Sequence, residues 1–150
     1  MVFKRRPPCT HRNPLEPVRL ILPGGIIIGG PLSSFYTLAE EWPVFNFSEG
    51  LRGFSDEYHA PIKNYRIPES MAGFHKSISI MREVLEDRGQ VLAGCYGGHG
   101  RTGIGLACLA SLYNVESPVA FVRNNYCPRA VETEEQGQFV RDYQRNYARG

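Results

Sequence analysis

The run VLAGC at residues 91–95 is followed at once by YGGHG at 96–100 and then by RTGIGLACLASLY at 101–113, which is apolar nearly all round. An apolar run this short reads as a strand covered on both faces, and the run after it reads as a buried helix. A glycine-rich turn joining the two brings the backbone N–H groups of the turn together at a helix N-terminus. That arrangement is a nest for a tetrahedral anion.

The rest of the chain supplies layers to cover this unit. RLIL at 19–22, GGIIIGG at 24–30 and PVFNF at 43–47 are rich in Val, Ile and Phe and bounded by Gly, Pro or Ser, so they read as short strands. EYHAPI at 57–62 is expected as another, ended by Pro61 and the loop KNYRIPES. SSFYTLAEEW is expected to form a short helix capped by Ser33 or Ser34. Ser70 caps a helix in which Met71, Phe74, Ile78, Met81, Val84 and Leu85 fall at helical spacing, closing near Arg88 and Gly89. SPVAFVRNNY opens with Ser117 and Pro118 at the cap and first position, and Thr133 to Gln136 has the form of a capping box. Strands dominate the first half and helices the second, with alternation between. The expected architecture is therefore α/β, a single mixed sheet of about four to five strands flanked by helices.

The 150 residues, 42% of them hydrophobic, make one domain able to bury roughly 70% of the unfolded chain's surface. Residues 1–17 hold four prolines and a KRR run and read as a flexible basic arm, leaving 18–150 as the domain. A net charge of +2 is too small to argue for nucleic acid or membrane binding, although 14 of the 17 basic residues are Arg, which suits bidentate phosphate contacts. No apolar run approaches the length of a membrane span and the N-terminus has no signal-peptide core, so a cytoplasmic setting is expected. Cys9, Cys95, Cys108 and Cys127 are scattered without a CxxC pair, which argues against both a disulfide framework and a zinc cage. Cys108 reads as inert core. Neither a metal nor a cofactor is expected.

Within the glycine-rich turn, Cys95 precedes Arg101 by six positions. N–H dipoles and a guanidinium around a cysteine stabilise its thiolate, which is a nucleophile at neutral pH. Arg101 can grip two phosphoryl oxygens while Cys95 attacks phosphorus in line, giving a cysteinyl-phosphate that water hydrolyses. Side chains in the turn would block the oxyanion, hence Gly97, Gly98 and Gly100.

CYGGHGRTG resembles the signature His-Cys-x5-Arg-Ser/Thr of the protein tyrosine and dual-specificity phosphatases, matching at Cys95, Gly98, Arg101, Thr102 and Gly103. ILPGGIIIGGPLSSFYTLAEEWPVFNFSE looks like the opening of the dual-specificity members, and SPVAFVRNNYCPRAVETEEQGQFVRDY looks like their closing helices, so the resemblance spans about residues 19 to 145. It implies Cys95 as nucleophile, Arg101 as phosphate and transition-state ligand, and Thr102 as a hydroxyl assisting the thiolate's departure. Tyr96, Gly97, Gly98, His99 and Gly100 are implied as phosphate-binding. A basic residue at the His99 position is similar to the deep-pocket lipid phosphatases. The implied substrate is a phosphorylated protein, with an RNA 5′ end or a phosphoinositide as alternatives and a monomer as the working unit. A pseudophosphatase that only binds phosphate is the reading from outside enzymology.

Two positions depart from the pattern. Gly94 stands where the family has His, which predicts a less ordered loop. Asn64 in PIKNYRIP stands where the family has the aspartate that protonates the leaving oxygen. Glu69, just beyond Pro68, and His99 are the alternatives for that acid. Family members that cleave the 5′ γ-phosphate of RNA also lack the aspartate, so Asn64 keeps an RNA 5′-triphosphatase open.

Overall fold

The computed structural model describes residues 16–148. Four strands, β1 (Val18–Leu22), β2 (Gly25–Pro31), β3 (Val44–Asn46) and β4 (Gln90–Cys95), form one mixed sheet in the order β1-β2-β4-β3. β1 runs antiparallel to β2, while β4 is parallel to both of its neighbours. The expected α/β architecture is the one found. In register, Ile27 faces Val91, Gly30 faces Gly94 and Pro31 faces Cys95, which sets Cys95 at the carboxyl end of an interior strand. Ligand crevices of open α/β sheets lie at that end.

Four helices follow: α1 (Met71–Arg88), α2 (Gly100–Leu112), α3 (Pro118–Asn125) and α4 (Glu134–Tyr147). Ser70 Oγ accepts the Gly73 N–H at the start of α1, and Gly89 closes it at φ 82°, the left-handed conformation that suits glycine. The Thr133–Gln136 capping box of α4 forms with both of its bonds. Alternation along β4 divides the core in two. Val91, Ala93 and Cys95 join Ile27 and the buried faces of all four helices. Leu92 points to the other face, where Leu32, Phe35, Val44 and Phe54 cover it. α2 is buried from Gly100 to Ser111 and packs against β4 and the other three helices. Its close approach to residues 46–47 needs Gly105, because a Cβ there would lie 2.4 Å from the Phe47 ring.

Three local expectations are corrected. SSFYTLAEEW forms two 3-10 turns, Leu32–Ser34 and Leu38–Glu40, and neither Ser33 nor Ser34 caps them. Phe35, fully buried, is drawn into the second core and Tyr36 stacks on Phe54, which breaks any continuous helix between the turns. EYHAPI makes only an isolated bridge, Asn46 to His59. Ala60 and Ile62 donate to the carbonyls of Asn46 and Phe47, but Pro61 between them has no N–H to extend a ladder. Pro118 opens α3 as expected, without a side-chain cap from Ser117.

Residues 1–15 of the expected basic arm lie outside the described residues. Glu16 and Pro17 lead into β1 without regular structure. Among the described residues, no helix is long and apolar enough to cross a membrane.

Candidate active site

Cys95 ends β4 with 2% of its surface exposed and a free thiol. The loop turns back over it at Gly98, whose N–H reaches Cys95 Sγ at 3.3 Å. Gly98 has φ 79°, and a Cβ on it would stand 2.7 Å from the backbone of Gly30 and Pro31. Only glycine fits this position. The Gly98 carbonyl is held from behind by the Tyr126 hydroxyl, which donates to it at 2.5 Å. Tyr126 is fully buried, its ring occupying the space left by the missing side chain of Gly29. Burial first, then the charge of Cys95, pushes the Tyr126 hydroxyl well above its ordinary range, so it stays a donor.

The α2 N-terminus meets this loop directly. His99 is the N-cap residue and makes no side-chain capping hydrogen bond, so among the described residues the first N–H groups of the helix point toward the loop without a side-chain cap. His99 Nδ1 lies 3.3 Å from Cys127 Sγ. Arg101 is 8% exposed and donates from Nη1 to the Ile62 carbonyl at 3.1 Å, tying the glycine-rich loop to the base of the 61–70 loop. Thr102 is fully buried, and its hydroxyl has no hydrogen-bond partner among the described residues. Tyr96 projects outward, 65% exposed.

Gly94 is explained by packing. A Cβ there would lie 2.5 Å from the Gly30 carbonyl oxygen and 3.2 Å from Leu32 and Phe35, so no histidine fits at this point of the sheet. The Tyr126 hydroxyl gives the loop a hydrogen bond at Gly98 from the helical side.

On the acid side, Asn64 is exposed and lines a cleft with Glu49, Lys63, Arg66, Glu69 and Glu135. Glu69 also borders a neighbouring cleft with His59, Lys63 and Ser70. Neither cleft includes a residue of 95–102. The carboxylate that does reach the loop is Glu132, which sequence reasoning missed. Its Oε1 lies 2.3 Å from where a Cβ on Gly100 would stand, and its Oε2 is 3.5 Å from the Arg129 guanidinium. Val131, held in the left-handed conformation at φ 60°, turns the chain to place it. Arg123 fixes that turn, donating from Nε to the Ala130 carbonyl at 2.9 Å and from Nη2 to the Val131 carbonyl. The available signal was Gly100 itself, a glycine whose missing side chain makes room for a neighbour.

A family model described as the Swiss Army Knife protein DSP-PTPase phosphatase domain matches residues 37–147. Two uncharacterized proteins of Methanocaldococcus jannaschii, MJECL20 and MJ0215, are 41% identical over 85 residues and 38% identical over 92. These matches cover 57% and 61% of this chain, and 57% of each relative's length. Among solved structures, Tk-PTP in its active form gives a TM-score of 0.63 at 23% identity, covering 80% of this chain and 90% of that one. The kinase associated phosphatase gives 0.66 at 18% identity, covering 93% and 99%. PTPMT1 gives 0.65 at 13%, covering 88% and 96%. Identities this low speak for the fold alone; the family model speaks for descent, and by it this chain belongs to the Swiss Army Knife DSP-PTPase phosphatase domain family.

Proposed function

We propose that this chain is a cysteine-dependent phosphatase that hydrolyses phosphomonoesters, phosphotyrosine in proteins first among them, through a cysteinyl-phosphate. The observation that carries this reading is a free Cys95 held by the Gly98 N–H at the end of β4, with Arg101 buried in the first turn of the helix that follows. The phosphoryl group sits on the N–H groups of residues 96–101, with Arg101 gripping two of its oxygens. Cys95 Sγ attacks phosphorus as the P–O bond to the leaving group breaks, and the leaving oxygen takes a proton from the Glu132 carboxyl. Water then attacks phosphorus and returns a proton to Glu132. The P–S bond breaks, and the Thr102 hydroxyl donates to the departing thiolate.

Asn64 supports a second reading. An amide supplies no proton at neutral pH, and a phosphoanhydride leaves readily without one, which favours an RNA 5′-triphosphate as substrate. A phosphoinositide is the further alternative, and PTPMT1 has been captured in complex with PI(5)P. Steady-state and single-turnover hydrolysis of a phosphotyrosine peptide, a phosphoserine peptide and 5′-triphosphate RNA, each with wild type and Cys95→Ser, separates these. Hydrolysis of phosphotyrosine that disappears in Cys95→Ser is the expected result. Turnover of the RNA alone moves the assignment to RNA ends, and binding without turnover leaves a pseudophosphatase.

A further inference from the structure

The segment 50–54 is built more firmly than an exposed loop requires. Asn46, at the end of β3, donates through Nδ2 to the carbonyls of Gly50 and Leu51 at 3.1 and 3.2 Å. Tyr36 donates its hydroxyl to the Arg52 carbonyl at 2.9 Å, and its ring stacks on Phe54 with centroids 4.9 Å apart. Arg52 and Gly53 are both left-handed, at φ 52° and 90°. Glycine takes that conformation freely, whereas a side chain such as arginine is strained by about 1–2 kcal/mol. A glycine or asparagine at 52 would make the same turn with less strain.

The strain delivers a guanidinium to the mouth of the site. Arg52 is exposed, and its guanidinium lies 4.4 Å from the centroid of the Tyr96 ring, the residue directly after Cys95. Among the described residues it makes no ion pair, and none of its side-chain donors is in a hydrogen bond. The fold therefore holds a cation over the Tyr96 ring and, among the described residues, gives it no anionic partner. Because Arg52 meets the phosphate loop through the Tyr96 ring, its charge sits about one side chain's width outside the phosphate cradle. In an extended peptide successive side chains point to opposite faces, so the side chain two residues from the phosphorylated one lies on its face, about 6.6 Å along the chain and within reach of Arg52.

We infer that Arg52, steadied by Tyr96, is a specificity-determining residue that binds a carboxylate two residues away from the phosphorylated residue of a peptide substrate. The inference rests on the phosphatase reading above and adds its preferred substrate, an acidic phosphotyrosine peptide. The planar guanidinium matches a carboxylate bidentately, and one fork of Arg52 stays open for it.

The test is kcat and KM for two phosphotyrosine peptides that differ only in having Glu or Gln two residues before and two residues after the phosphotyrosine. Wild type, Arg52→Asn and Arg52→Glu are compared. Asparagine suits the left-handed backbone and keeps the turn, so a lost preference is not a lost fold. Wild type should favour the acidic peptide by about fivefold in kcat/KM, expressed in KM and shrinking with added salt. Arg52→Asn should bring the ratio near one, and Arg52→Glu should invert it. Equal ratios in all three proteins, with both peptides hydrolysed, overturn the inference and leave the phosphatase standing. An Arg52-dependent preference seen on a soluble inositol bisphosphate and not on the peptides overturns the peptide assignment. Hydrolysis of neither peptide by wild type removes the phosphatase reading and this inference with it.

Discussion

Under the proposed mechanism, Thr102 is the residue at which stability and chemistry pull in opposite directions. Its hydroxyl is fully buried and without a partner among the described residues, a state that costs about 1–3 kcal/mol. Valine has the same shape and removes the orphan. Thr102→Val should therefore hold or raise the melting temperature while slowing breakdown of the cysteinyl-phosphate by roughly 10- to 100-fold, the worth of one hydrogen bond to a charged sulfur. A stopped-flow burst of leaving group followed by slow turnover is the signature. A variant that is both less stable and free of a burst would deny the hydroxyl this role. Cys95, Arg101 and Thr102 could be proposed together from the sequence because they fall within one short stretch, which keeps them close before any packing. Tyr126, Glu132 and Arg52 could not. Each lies about 30 to 40 positions from the loop and enters it only through packing: the space at Gly29, the space at Gly100, and the turn that Asn46 and Tyr36 hold.

At the scale of elements, the stretch between α3 and α4 acts as one part. Arg123 on α3 holds the carbonyls of Ala130 and Val131, Val131 turns the chain, and Glu132 emerges against Gly100 just before Thr133 caps α4. Glu132→Gln should lower turnover of alkyl and unactivated phenyl phosphates by about 10²- to 10⁴-fold, yet change para-nitrophenyl phosphate little, because a good leaving group needs no proton. The measurement is the dependence of kcat/KM on leaving-group basicity. An unchanged dependence would return the acid to another group, such as Glu69. Arg123→Met should reproduce part of the same change without touching a carboxylate, since it frees the turn that aims Glu132. The segments whose pattern matched one period, such as α1 and β4, folded as read. Residues 32–40 and 57–62 did not, because buried Phe35 and the missing N–H at Pro61 outweigh local preference.

Across the whole molecule, the helical core encloses several groups that titrate above neutrality. Burial pushes the Cys108 thiol well up, and burial with the charge of Cys95 does the same to Tyr126. Tyr143 is raised too, by burial and then by Cys108 and Tyr147. A proton held more tightly in the folded chain stabilises it fully below the unfolded pKa, about 8.5 for cysteine and 10 for tyrosine, and that contribution is lost as pH rises beyond it. Cys108 and Tyr126, both completely enclosed, should each subtract about 1.4 kcal/mol of stability per pH unit above those values. On the acid side His75 works in the opposite sense, its pKa lowered by burial and then by Arg82, so its contribution is present above about 6.5 and lost as pH falls. Stability should thus be greatest between about pH 7 and 8.5, with the steeper loss on the alkaline side. Urea unfolding at pH 7, 9, 10 and 11 measures the slope. Cys108→Ala should flatten it from about pH 8.5, and Tyr126→Phe only from about pH 10, while also loosening Gly98 and lowering activity at neutral pH. Equal alkaline slopes in wild type and both variants would mean that these two enclosed protons do not set the alkaline limit of the fold.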